Sequence, residues 1–247
     1  MDQRFLEQAR ERLHDSTPDA VLRWASEAFA GPVTLASSLG AEDQVLTHMV
    51  AVQRYDIPIF MLDTGRLFEQ THQLLDETTR QYDIDITTYF PESKDIEEAV
   101  NQYGSNFFRE SVANRKTCCR IRKVLPLRRA LSGKSAWVTG LRREQSPTRD
   151  DVSVIEWDEP NGLYKINPLW DWSEKDVWDF IRLHDIPYNS LHDENFPSIG
   201  CAPCTRAVLP GEDARAGRWW WEEPESKECG IHIVDGKVVR ANQPVEV

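Results

Sequence analysis

The sequence predicts an α/β protein, a mostly parallel sheet flanked by helices and followed by a flexible C-terminal segment. Two observations carry that expectation. Strand-length apolar runs alternate with helical patterns, as βαβ units require. Three of the four runs also end in polar or glycine-bearing loops, "SSLG", "DTG" and "TGLRREQS", and parallel sheets hold their ligands at those carboxyl ends.

The elements follow in order. "MDQRFLEQARERLHDS" alternates charged with apolar residues, so it reads as an amphipathic helix over about 2–14 rather than a signal peptide. A second helix is expected over about 18–30. "GPVTLASSLGAEDQVLTHMVAVQRY" gives strand, short polar loop and helix. "IPIFMLDTG" is a buried strand ending in a loop, with a helix from about Leu67 to Tyr82 behind it. "DIDITTYF" and "SAWVTGL" are the third and fourth strands. "WDEPNGLYKINP", with its prolines and Asn-Gly, reads as a hairpin connection. Ser173 is placed to cap the helix "SEKDVWDFIRLHD". Beyond Pro187 the pattern is irregular.

Apolar residues make up 40% of the 247, enough for a sizeable core. No stretch approaches the ~18–20 consecutive apolar residues of a membrane span. A cytoplasmic location is expected, and there five cysteines point to metal ligands or catalytic thiols rather than a disulfide framework. The net charge of −12 argues against general nucleic-acid binding. Yet Arg109, Arg115, Lys116, Arg120, Arg122, Lys123, Arg128 and Arg129 face one acid, Glu110, in the same stretch. Such a cluster suits a small anionic ligand, or else forms a solvated helix face.

The loop "SSLGAED" sits between strand and helix, where free amides and the helix dipole favour an anion. It matches neither GxxxxGK[ST] nor GxGxxG, so an ordinary βα turn explains it as well. Asp63 either binds a ligand hydroxyl or caps the following helix. Cys201 and Cys204, with two residues between them, can reach one metal centre. The adjacent Cys118 and Cys119 diverge in regular structure, which strains a single zinc tetrahedron. A 4Fe–4S cube offers separate iron corners and accommodates them more easily. Cys229 is left over, with Lys227 and His232 favouring its thiolate and Glu228 opposing it. It is either an incidental tail cysteine or a thiol that a mobile segment delivers to a site and then exposes to a second protein.

Together "SSLGAED", "LDTGRL", "CCRIRKVLPL", "TGLRREQSPTR", "SIGCAPCTRAV", "GEDARAGRWWWE" and "KECGIH" resemble the sulfonucleotide reductases, specifically the bacterial iron–sulfur adenylyl-sulfate (APS) reductases of sulfate assimilation. The match spans residues 33–232. The resemblance implies an adenine-nucleotide α-hydrolase-like, Rossmann-like fold. Residues 1–211 are then the nucleotide and cluster domain, and 212–247 the segment bearing the catalytic cysteine. It implies thioredoxin-dependent reduction of APS to sulfite and AMP through a cysteine S-sulfonate, and homo-oligomers are common in the family. Cys118, Cys119, Cys201 and Cys204 look like the ligands of one 4Fe–4S cluster, and Cys229 like the nucleophile. Lys123, Arg215 and Arg218 resemble the residues that hold the phosphosulfate, with Arg142 and the Ser37–Ser38 loop near the nucleotide. Asn195 stands where a glycine is common, and asparagine tolerates left-handed backbone. Trp219–Trp221 cover the site, dock thioredoxin or pack beneath the tail. The nearest alternative is reduction of PAPS, the 3′-phosphorylated nucleotide, although members restricted to PAPS usually lack the CC…CxxC set. A four-cysteine zinc-binding module is the alternative from another class.

Overall fold

The computed structural model describes residues 1–145 and 151–223. In chain order it contains α1 (Gln3–Leu13), α2 (Pro18–Glu27), β1 (Val33–Ser37), α3 (Ala41–Gln53), β2 (Ile59–Leu62), α4 (Glu69–Tyr82) and β3 (Ile86–Tyr89). There follow α5 (Ser93–Tyr103), α6 (Val112–Cys119), α7 (Leu125–Leu131), β4 (Ala136–Val138), β5 (Ile155–Asp158), β6 (Leu163–Ile166) and α8 (Glu174–His184). The strands form one sheet in the order β3-β2-β1-β4-β6-β5. β1 pairs in parallel with β2 and β4, and β4 with β6. Only the β5–β6 pair is shown antiparallel.

The first two helices and the Ser173 cap form as expected, and two further caps join them. Asp2 accepts the Phe5 amide at the start of α1, whose Leu6, Ala9 and Leu13 are buried. Thr17 caps α2 with Pro18 behind it, and Ser173 with Asp176 forms a capping box on α8. The hairpin reading also holds: β5 and β6 flank a turn in which Gly162 adopts φ 68° and donates to Asp158 O. Between Ser93 and Leu131 the basic run does lie on helices, one of its two expected readings, whereas α5 was not predicted. There α6 runs into a π-helical turn, Arg120–Val124, before α7. Leu125 N donates to Arg120 O, and the next residue, Pro126, has no N–H to continue the α-helical ladder.

The chain divides into two compact units. The first comprises Met1–Met61, Glu69–Thr88 and Leu131–Ser190. Its core packs Leu22, Leu35, Val45, Leu46, Val138, Ile155 and Ile166 together. The second comprises Leu62–Phe68, Tyr89–Ala130 and, of the described residues, 191–223. Its core gathers Phe107, Phe108 and Trp219 around Cys118, Cys119, Cys201 and Cys204. Among the described residues no helix is long and apolar enough to cross a membrane.

Candidate active site

In the second unit, four of the sequence-predicted residues meet as buried thiols. Cys118 and Cys119 are the last two residues of α6, and Cys201 and Cys204 bracket a single 3-10 turn. All four line one pocket with Arg66, Arg115, Arg122, Lys123 and Arg218. The π-helical turn thus starts directly after the vicinal pair and carries Arg122 and Lys123 to the same pocket. Thr64 Oγ1 lies 3.2 Å from Cys201 Sγ, and Arg122 donates to Thr64 O at 2.6 Å. Ala202 N donates to Arg66 O, which fastens the CxxC turn to the loop after β2. Asp63 closes that loop on itself by accepting Gly65 N at 2.7 Å.

Burial pushes the Cys118 thiol up, with Cys201 adding to the shift and Arg122 and Arg66 opposing it. Cys204 is pushed up to about 12, by burial first and then by Cys201 and Cys118, against the pull of Lys123 and Arg218. The thiols therefore feel one another and the cations around them. Among the described residues, no group of three or more His, Cys, Asp or Glu is disposed to hold one metal ion.

Arg218 is buried and donates to Ser198 Oγ and Ile199 O, each at 3.3 Å. Gly200 lets the guanidinium in closely, because a Cβ there would lie 2.3 Å from Nη2 of Arg218 and displace it. Arg215 is half-buried outside the residues that line the pocket, and its amide donates to Asp213. Arg115, fully buried, forms a bidentate pair with Glu222 at 3.0 and 2.8 Å. The guanidinium groups of Arg115 and Arg218 both lie over the Trp219 ring, at 4.6 and 4.7 Å. Trp219 is buried, Trp221 packs on Phe108, and Trp220 is the exposed member of the triplet. Asn195 has φ 66°, the left-handed conformation that its side chain tolerates. Cys229 lies outside the described residues.

Ser37, Ser38 and Arg142 belong to the first unit. Ser37 Oγ accepts the Leu39 amide, and Ser38 donates from both N and Oγ to Asp43. Arg142 is buried and makes two hydrogen bonds to Glu42 Oε1, at 2.9 and 2.8 Å. Asp43 and Glu42 were not singled out from sequence, where acids in a first helical turn read as partners of the helix dipole. Nothing in the sequence joins Arg115 to Glu222, which are far apart in the chain. "LDTGRL" did mark the loop that supplies Thr64 and Arg66.

A mostly parallel six-stranded sheet with flanking helices defines an α/β protein. A family model described as a phosphoadenosine phosphosulfate reductase domain matches residues 32–207, and the chain belongs to that family. It is 57% identical over 200 residues to the adenosine 5′-phosphosulfate reductase of Allochromatium vinosum, covering 81% of this chain and 78% of that one. With the adenosine 5′-phosphosulfate reductase of Burkholderia cepacia it shares 50% identity over 224 residues, 91% and 89% of the two chains. The crystal structure of phosphoadenylyl-sulfate reductase from Candida auris, a phosphate complex, superimposes with a TM-score of 0.72 at 29% identity, covering 84% of this chain and 98% of that one. The FMN adenylyltransferase of Candida glabrata, bound to FMN and an ATP analogue, shares the fold at 16% identity and a TM-score of 0.51, over 83% and 68% of the chains.

Proposed function

We propose that the protein reduces APS to sulfite and AMP in sulfate assimilation, taking electrons from reduced thioredoxin. The observation that carries this is the pocket in which Cys118, Cys119, Cys201 and Cys204 are buried among cations. The APS reductases at 50–57% identity support APS over its 3′-phosphorylated form. In this reading the four cysteines hold one 4Fe–4S cluster. The donor set fits: a cube takes each thiolate at a separate iron corner, and Arg122, Lys123 and Arg218 offset the negative charge that four thiolates bring. When bound, the cluster supplies a fixed charge distribution that organises and tunes the site.

Cys229 is the nucleophile. Its thiolate attacks the sulfur of APS, the S–O bond to phosphate breaks, and AMP leaves with that electron pair. The product on the protein is a Cys229 S-sulfonate. A thiolate approaching a polyanion is repelled, so fixed cations are needed more than a general base. Lys123, Arg215 and Arg218 fill that role at the phosphosulfate, and the Ser37–Ser38 loop with Arg142 serves the nucleotide. Thioredoxin then attacks the Cys229 sulfur and expels sulfite, and its second thiol resolves the mixed disulfide.

Incubation with APS alone, followed by intact mass, tests the substrate, the nucleophile and the partner. One SO3 is expected on the protein, absent in Cys229→Ser and discharged by reduced thioredoxin. Normal turnover in Cys229→Ser overturns the mechanism. Turnover of PAPS equal to or faster than that of APS overturns the substrate assignment.

A further inference from the structure

Within the first unit, the strand order makes β1 and β4 neighbours. From β1 the chain moves outward to β2 and β3, and from β4 the sheet continues the other way to β6 and β5. Such a reversal opens the crevice where open α/β sheets bind ligands. Two adjacent carboxylates bridge the loops at this point. Asp43 Oδ2 accepts Ser38 N at 2.6 Å and Ser38 Oγ at 2.7 Å. Its Oδ1 faces the loop after β4 so closely that a Cβ on Gly140 would sit 2.5 Å away. Glu42, the next carboxylate, holds Arg142 of that same loop. Between Ser38 and Gly40, Leu39 adopts φ 58° and is buried. A left-handed leucine persists only where its surroundings over-determine it.

A serine hydroxyl has one proton to give. In Ser38 that proton goes to Asp43, so the hydroxyl has only lone pairs left to offer, and lone pairs repel a phosphate oxygen. We propose that Asp43 is a positioning residue that sets the Ser38 loop for the nucleotide, and that the Ser38 hydroxyl is not itself a phosphate donor. This rests on the nucleotide reading given above.

This Asp43–Ser38 latch has a built-in pH range. Burial raises Asp43 to about 6, with the charge of Glu42 adding to the shift and the Ser38 hydroxyl, the Ser38 amide and the Gly140 amide opposing it. Glu42 is itself paired with Arg142. A protonated Asp43 loses its grip on the hydroxyl proton of Ser38.

Steady-state kinetics with APS and thioredoxin at pH 7.5 and 5.5 provide the test, since the mixed-anhydride phosphate of APS does not titrate in this range. If only the ionised latch positions the loop, KM of the unmodified protein rises about fourfold at the lower pH. Asp43→Asn is expected to raise KM about tenfold at pH 7.5, with kcat little changed and the acid-side rise gone. Ser38→Ala, which keeps the amide bond to Asp43, is expected to raise KM about threefold, less than Asp43→Asn does. A KM that is flat or falls with acid overturns the latch, as does a larger loss in Ser38→Ala than in Asp43→Asn. Should Asp43→Asn not fold, the pH profile of the unmodified protein and Ser38→Ala still decide. Unmodified protein that neither turns over APS nor binds AMP at pH 7.5 rejects the reductase reading instead.

Discussion

At the scale of single residues, Asp43 places function and stability in opposition. Its folded value of about 6 lies above the ordinary 3.8. The stability it contributes is therefore full below the unfolded value and is lost as pH rises through about 6. In its ionised form the buried carboxylate costs on the order of 2–3 kcal/mol relative to an unshifted one. The melting temperature of the native chain should thus fall relative to that of Asp43→Asn between pH 4 and 7.5, which paired thermal melts will show. An unchanged difference across that range contradicts the buried, up-shifted carboxylate. The sequence could not reveal this, because burial of Asp43 depends on how closely the Gly140 loop approaches. The cysteines were legible for the opposite reason: their spacing is local and their chemistry is rare. The left-handed turn at Asn195 was legible too, through the resemblance, in which a glycine is common at that position.

At the scale of elements, the two glycines that matter at the β4 loop and the CxxC turn are set by close approach and not by turn conformation. A Cβ at Gly140 would meet Asp43 Oδ1 at 2.5 Å and Glu42 Cβ at 2.8 Å. Gly133 has φ 75° with nothing within 4 Å, so it carries only a backbone preference. Gly140→Ala should therefore raise KM for APS about tenfold or more by displacing the loops. Gly133→Ala should lose about 1 kcal/mol of stability, with kcat/KM unchanged. Equal kinetic effects would show that the β4 loop does not position substrate. The strand–loop–helix alternation was readable because each strand is a continuous apolar run. Of the stretch from Ser93 to Leu131 only a helix face in the basic run was readable, as one of two alternatives, and the π-helical turn before Pro126 was not.

At the scale of the whole molecule, the cofactor reading predicts a brown protein. About four irons and four acid-labile sulfides per chain are expected, and both should be lost in Cys201→Ser. One zinc per chain in a colourless protein, with activity indifferent to Cys229, would instead favour the zinc-binding module. The fold class and the cysteine set were readable from sequence, whereas the sheet order and the Arg115–Glu222 pair depend on distant segments meeting. That distance has a kinetic consequence. β1 pairs with β4, Val33 opposite Ala136, across about a hundred intervening residues, and closing so long a loop costs entropy before any pairing repays it. A growing chain can pair β1 with β2 early, but the other side of β1 stays an open edge until β4 has emerged. The crevice between β1 and β4 is consequently a late product of folding, and the unfinished edge is where a stalled chain is most exposed to aggregation.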